Sequence, residues 1–245
     1  MEPVPVILIL LLLAQATHPV TGRQIAPVMG ASGSGWLDRP EREAEEAPDL
    51  ALDALGIRAG MVVADVGAGT GYMSLRMARR VGPSGRVYAN DLQPEMLQKL
   101  RAKSQREKLS NVETVQGTAG DPKLPPNTMD LVLLVDVYHE FSEPQAMLDK
   151  IRESLKPDGR LVLLEYRKED PAVPIRPEHK MSVAEVKTEV EAAGFKLNQV
   201  IETLPRQHII IFRKAAVAHA LCRPRRHSWP RLAVIYIPPE QPANG

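Results

Sequence analysis

Apolar and polar positions change rhythm several times along this chain, and the changes mark out its elements. Residues 61–66 form a short apolar run rich in β-branched residues, which predicts a strand. A helical stretch begins at Tyr72 and is stopped by Gly82-Pro83. Residues 86–90 predict a second strand. Residues 94–108 predict a helix with Met96, Leu97 and Leu100 on one face. Residues 112–116 and 130–135 predict the third and fourth strands. The near-continuous Leu/Val content of the fourth suits a strand buried on both faces. Ser142-Glu143-Pro144-Gln145 has the spacing of a capping box and opens a helix to Leu155. Lys156-Pro157-Asp158-Gly159 reads as a turn before a fifth strand at 160–165. Ser182-Val183-Ala184-Glu185 is a second capping box, and Gly194 is the expected stop of that helix. Two last strands, 196–203 and 208–213, are joined by Leu204-Pro205-Arg206-Gln207. Strands alternating with helices imply an α/β fold with a parallel sheet covered on both faces. The final pair has no room for a helix between its members, so it is expected to run antiparallel.

The two ends follow other patterns. Residues 6–14 are unbroken apolar, too few for a membrane span of about 20 residues. Ala14-Gln15-Ala16 adds the small-x-small pattern of a cleavage site, although Glu2 stands where a basic flank belongs. Residues 1–16 therefore read as an export or anchoring segment, with membrane association through it and an exported or anchored location; a cytoplasmic location is the alternative. Residues 17–35 read as a linker. Residues 36–214 hold the alternating domain. Residues 215–245 read as a disordered basic tail, with Arg223, Arg225, Arg226 and Arg231 against Glu240 and with five prolines.

Composition narrows the chemistry. The 245 residues carry 31 Lys and Arg against 30 Asp and Glu, a balance that gives no global attraction for nucleic acid. Aromatic residues at 4% are too few for a base-stacking surface. The single cysteine, Cys222, excludes internal disulfides and multi-cysteine metal centres, and no metal site is expected.

The most informative segment is Val63-Ala64-Asp65-Val66-Gly67-Ala68-Gly69-Thr70-Gly71, which follows a strand and opens a helix. Such glycines let a ligand lie directly on the main chain beside a helix N-terminus. A triphosphate loop would require Gly-Lys-Ser or Gly-Lys-Thr, but Gly71 is followed by Tyr72 and Met73. A dinucleotide fingerprint would place glycine where Tyr72 stands. Asp91 lies at the end of the second strand, where a carboxylate can accept both hydroxyls of a ribose.

On these residues, with Tyr88-Ala89-Asn90-Asp91, Gly117-Thr118-Ala119, residues 131–141 and Lys156-Pro157-Asp158-Gly159-Arg160-Leu161, the chain resembles the class I S-adenosylmethionine-dependent methyltransferases, in particular the small single-domain enzymes grouped with ubiquinone biosynthesis and methyltransferase type 11. The resemblance covers about 36–214. It implies a Rossmann-like, doubly wound seven-stranded sheet, mostly parallel with an antiparallel last strand. It implies S-adenosyl-L-methionine as cofactor, with Asp65, Gly67, Ala68, Gly69 and Gly71 cradling its methionine part. Asp91 would hold the ribose and Leu92 would pack on the adenine. Thr118 and Ala119 would stand at the adenine end, where the family commonly has Gly-Asp-Ala; with threonine at the acid's position, Asp121 is the substitute candidate, although beside Pro122 it reads first as a turn former. Asp136 would mark the junction of cofactor and acceptor pockets.

Methyl transfer mainly requires that a nucleophile be held in line and water excluded. Val137-Tyr138-His139-Glu140-Phe141 offers the polar groups for this, with His139 as a candidate base or a structural histidine bonding a neighbouring loop, and Tyr138 as a pocket wall. Glu165 is a candidate for a cationic substrate or for pairing with Arg167, residues 167–180 for a lid or equally a solvated loop, and Trp36 and the helix at 41–47 for a cover or equally an exposed helix carrying Glu on one face. The chain lacks Asn/Asp-Pro-Pro-Tyr after the fourth strand, the pattern of enzymes that methylate amino groups of bases. A small molecule with an oxygen, nitrogen or carbon nucleophile is therefore the expected acceptor, and a monomer or weak dimer the expected state. The alternatives are a non-catalytic S-adenosylmethionine-binding protein and an NAD-dependent oxidoreductase.

Overall fold

The structure is a computed structural model and describes residues 16–216. Seven strands, β1 (Val62–Val66), β2 (Arg86–Asp91), β3 (Val112–Gln116), β4 (Met129–Val135), β5 (Leu155–Tyr166), β6 (Phe195–Ile201) and β7 (Gln207–Lys214), form one sheet in the order β3-β2-β1-β4-β5-β7-β6. The first five pair in parallel, and β7 runs antiparallel to both β5 and β6.

The period of two along the central strands explains their continuous apolar runs. Leu131 and Leu133 of β4 pack on one face with Val63, Val162, Ile209 and Ile211. Val132 and Leu134 pack on the other with Ala64, Leu161, Leu163 and Phe212. Every one of these side chains is buried, so both faces need apolar residues.

Among the described residues six α-helices accompany the sheet: α1 (Arg42–Glu46), α2 (Pro48–Ala54), α3 (Tyr72–Val81), α4 (Pro94–Arg106), α5 (Pro144–Ser154) and α6 (Val183–Ala192). Proline at the first turn opens α4 and α5, where its missing N–H costs nothing. Ser182 and Glu185 make the expected reciprocal capping box on α6. Ser142 does not cap α5: that helix starts at Pro144, and Glu143 stands at its N-cap without a side-chain bond. The expected Lys156–Gly159 turn is absorbed into β5, which takes a register shift against β4 between Met129 and Leu131.

The linker expected over 17–35 is instead an ordered strap. Thr17 and Gln24 form a bridge, and Ala26 N–H donates to the His139 carbonyl at 3.0 Å. Arg23 and Thr21 reach the fully buried Glu189 of α6, with Arg23 Nε donating at 3.0 Å. A 3-10 helix (Ala31–Asp38) then leads into α1. Charge pairing with a buried carboxylate gives this segment an anchor that its composition does not advertise. The export segment read over 1–16, apart from Ala16, and the basic tail read over 215–245, apart from residues 215 and 216, lie outside the described residues. Among the described residues no helix is long and apolar enough to cross a membrane.

Candidate active site

Strand order reverses between β1 and β4, so the loops after these two strands part at the carboxyl edge of the sheet. A cavity of about 550 Å³ opens there. This is the position in which doubly wound sheets bind their ligands. Gly67 and Gly69 of the loop after β1, Asp91 and Leu92 after β2, and Asp136 and His139 after β4 all face it. Thr118 and Ala119 line it from beyond β3.

The loop after β1 is built around backbone contacts. Gly67 and Ala68 N–H both donate to the Asn90 carbonyl, at 2.9 and 2.8 Å. Gly69 N–H donates to Asp91 Oδ2 at 2.9 Å, while Gln93 N–H donates to Asp91 Oδ1 at 2.9 Å. The glycine loop and the carboxylate one strand over therefore form one bonded unit. Gly67 has φ +76°, and a Cβ there would meet Val137 Cγ2 at 2.3 Å, so only glycine fits. Burial raises the Asp91 carboxyl above its ordinary value, and the backbone bonds from Gln93, Gly69 and Leu92 pull it back.

Three of the expected cradle residues stand behind the cavity rather than on it. Asp65 is buried and accepts a hydrogen bond from Ser74 Oγ at 2.5 Å; burial pushes its carboxyl up to about 6. Ala68 packs with Ala89 and Leu100. Gly71 makes room for α4, since a Cβ would come within 2.7 Å of Leu100 Cγ. These residues shape the loop from beneath.

Tyr138 is a correction. It is fully buried, stacks edge-on with Phe141, and its hydroxyl lies 3.2 Å from His18 Nε2. The 3-10 turn after β4 (Tyr138–Glu140) turns this side chain into the core and its neighbour His139 toward the cavity. Glu165 is a second correction. It is wholly buried and meets neither Arg167 nor solvent; it accepts from Tyr138 N–H at 3.0 Å and from His139 Nδ1 at 2.7 Å. Arg167 pairs with Glu202 instead. Asp121 is the turn former of its two readings: it closes a turn with the Lys123 amide and ammonium, outside the cavity.

With Nδ1–H committed to Glu165, His139 Nε2 carries the ring's lone pair, and His179 Nδ1 lies 3.1 Å from it. His179 comes from a second 3-10 turn (Pro177–His179), within the segment expected to act as a lid; Ile175 and Arg176 of that segment also line the cavity. Glu140 stands beside the two rings, its carboxyl pushed up to about 7, first by burial and against the pull of His139.

The strap and α1 form the opposite wall. Trp36 and Leu37 face the cavity, and the Arg39 guanidinium stacks on the Trp36 ring at 3.6 Å. Arg42 and Glu46 are a buried bidentate pair, Nε to Oε1 at 2.9 Å and Nη2 to Oε2 at 2.7 Å, and Tyr166 Oη donates to Glu46 at 2.8 Å. Asp136 holds φ +49°, unusual for a residue with a side chain. Gln207 donates to its Oδ2 at 2.7 Å, while Oδ1 is buried with no hydrogen-bond partner among the described residues. Burial, reinforced by Glu46 and Glu165, raises this carboxyl well above the usual carboxylate range. The helix at 41–47, read from sequence as a cover or as an exposed helix, thus contributes a buried ion pair to the site. Met29, Arg42, Glu46, His179 and Gln207 were not singled out from sequence, because they converge from separate segments.

An adenosyl cofactor fits this arrangement. Asp91 offers acceptors at the tip of β2, Leu92 is half-exposed at the cavity rim, and the unpartnered Asp136 Oδ1 calls for a donor such as an ammonium group. Fold and site define a class I S-adenosylmethionine-dependent methyltransferase. Residues 57–212 match the profile of a methyltransferase domain family, and the chain belongs to that family. A crystal structure of a SAM-dependent methyltransferase from Aquifex aeolicus superposes with a TM-score of 0.72 at 31% identity, covering 76% of this chain and 98% of that one. A ubiquinone/menaquinone biosynthesis C-methyltransferase from Enterobacter sp. (strain 638) is 35% identical over 123 residues, 48% of this chain. The match spans about half, 47%, of that relative's length. The [4+2]-cyclase SpnF shares the fold, with a TM-score of 0.59 at 19% identity over 69% of this chain and 80% of that one. Family membership makes S-adenosylmethionine the cofactor, in place of the nicotinamide cofactor of an NAD-dependent oxidoreductase.

Proposed function

We propose that the enzyme methylates an oxygen, nitrogen or carbon nucleophile of a small, largely apolar molecule, with His139 as proton acceptor. The observation that carries this reading is the His139 imidazole, fixed by Glu165 at 2.7 Å on the wall of the cavity. When bound, the cofactor supplies an electrophilic methyl group. Asp91 would hold its ribose, Gly67 and Gly69 would lie against its methionine part, and Asp136 Oδ1 would accept from its ammonium.

The protein's own residues do the rest. The strap, through Met29, Trp36 and Leu37, excludes water from one side, and Phe141, Met147 and Ile175 make the acceptor's surroundings apolar. A pocket of this volume with a few convergent polar groups suits a small ligand. Glu165 holds the imidazole in one orientation, and Nε2, which lies 3.1 Å from His179 Nδ1, would take a proton from the acceptor in place of that contact. The similarity to a C-methyltransferase of quinone biosynthesis favours the same acceptor character, an apolar body with one activated position.

The test is a screen of small acceptors for release of S-adenosylhomocysteine, followed by His139→Gln on any acceptor found. The variant should lose about 10²–10⁴-fold in kcat with cofactor affinity kept, the range a positioned base contributes. Full turnover in His139→Gln would refute the base. Residues 1–16 are read as directing export or anchoring, which N-terminal sequencing of the mature protein checks; light scattering reads the monomer or weak dimer.

A further inference from the structure

Three ligand atoms converge at the polar end of the cavity in a way the base reading does not use. His139 Nε2, His179 Nδ1 and a Glu140 carboxylate oxygen all lie within 4.8 Å of one another. The two nitrogens are 3.1 Å apart, and His179 Nδ1 is 3.9 Å from Glu140 Oε1. Two ligands at about 2.0–2.1 Å from a shared tetrahedral ion stand roughly 3.3–3.4 Å apart, so the nitrogen pair is within about 0.3 Å of ligation and the Glu140 oxygen must draw in by about half an ångström or more. The outer contact is also in place: Glu165 accepts from His139 Nδ1 at 2.7 Å, the carboxylate–histidine arrangement that orients a metal-bound imidazole. The groups sit on two short 3-10 turns, Tyr138–Glu140 and Pro177–His179, that face each other. Their remaining side is the cavity itself, which leaves a coordination position open. A hydrogen bond from His179 to His139 would account for the nitrogen pair alone, not for the carboxylate beside it.

We propose that His139, Glu140 and His179 bind a divalent transition-metal ion of the zinc class, with Glu165 as the orienting residue behind His139. Two imidazoles and one carboxylate suit Zn²⁺, Co²⁺, Ni²⁺ or Fe²⁺; Mg²⁺ and Ca²⁺ prefer all-oxygen sites. The inference goes beyond the methyl-transfer reading and does not require it. An ion takes the Nε2 lone pair that base catalysis uses, so the loaded and ion-free proteins are alternative states of one site.

The experiment is titration of the chelator-stripped full chain with Zn²⁺ by calorimetry and with Co²⁺ by visible absorption. One equivalent should bind, and Co²⁺ should show the d–d bands of a site with fewer than six ligands. His179→Ala and Glu140→Gln should each weaken Zn²⁺ binding at least about tenfold, and Glu165→Gln about 10–100-fold, as loss of an orienting carboxylate does. His227→Ala, in the tail, should leave it unchanged. No saturable uptake, or uptake retained in the Glu140→Gln/His179→Ala double variant, overturns the site. Titration of the same samples with S-adenosylmethionine separates the two readings: lost cofactor binding with retained metal binding strikes the functional proposal alone.

Discussion

Asp65 and Asp91 sit at the ends of neighbouring strands, and their surroundings set them apart. Asp91 accepts two backbone amides and opens on the cavity, whereas Asp65 is sealed beneath the loop with Ser74. Because the folded protein raises the Asp65 carboxyl from 3.8 to about 6, the folded state holds this proton more tightly than the unfolded chain. Its contribution to stability is present below pH ~4 and is lost as pH rises to about 6, in all about 3 kcal/mol. Asp65→Asn removes the ionisation and keeps an acceptor for Ser74. Urea denaturation between pH 4 and 8 should show the variant's stability flatter than the wild type's across that window; an unchanged slope would contradict the assignment. Tyr138→Phe removes the hydroxyl that meets His18 and should cost about 1 kcal/mol in the same assay, with cofactor affinity unchanged by calorimetry. The residues legible in the sequence were those whose chemistry follows directly from a strand end: Gly67, Gly69, Asp91, Asp136 and His139. Tyr138 was misread because the direction of a side chain in a 3-10 turn depends on one residue of phase, which no period fixes.

Among the elements, strands and long helices were readable because each buries a periodic face. Their ends were less so. Ser142 and Ser182 have the same capping spacing, yet only Ser182 caps, because Pro144 makes its own helix start one residue after Glu143. Ser182→Ala should therefore destabilise the fold by about 1 kcal/mol, with a smaller effect from Ser142→Ala, both read by thermal or urea denaturation. The strap was missed for a different reason. Residues 17–35 lack periodicity because they are held by individual contacts to Glu189, His139 and Gln93, not by an apolar stripe. Arg23→Ala leaves a buried carboxylate with fewer partners, and a loss of up to about 3 kcal/mol is expected, the lower end for a broken buried pair since Thr21 remains. Hydrogen exchange across residues 16–38 should rise in that variant more than exchange in β4. Equal rises in both would mean that the strap is not a separate cover.

For the whole molecule, the sheet order β3-β2-β1-β4-β5-β7-β6 does two things at once. It opens the crevice between β1 and β4, and it brings the β5 end, with Glu165, behind the turn that carries His139. Strand–helix alternation made the class of fold legible, and the closing antiparallel pair followed from a connection too short for a helix. The convergence of Met29, Arg42, Glu46 and His179 on one cavity was not legible, because it depends on segments up to 150 residues apart meeting in space. Cofactor binding rests on the loop after β1 and the Asp91 carboxylate acting as a single seat for the adenosyl group. Calorimetric titration of S-adenosylmethionine into the wild-type chain and Asp91→Ala tests it most directly. Saturable binding at one site, weakened about 10–100-fold in the variant by loss of charge-assisted bonds worth ~1.5–3 kcal/mol, is the expected result. Equal affinity in the two proteins, or no binding by the wild type, would contradict it.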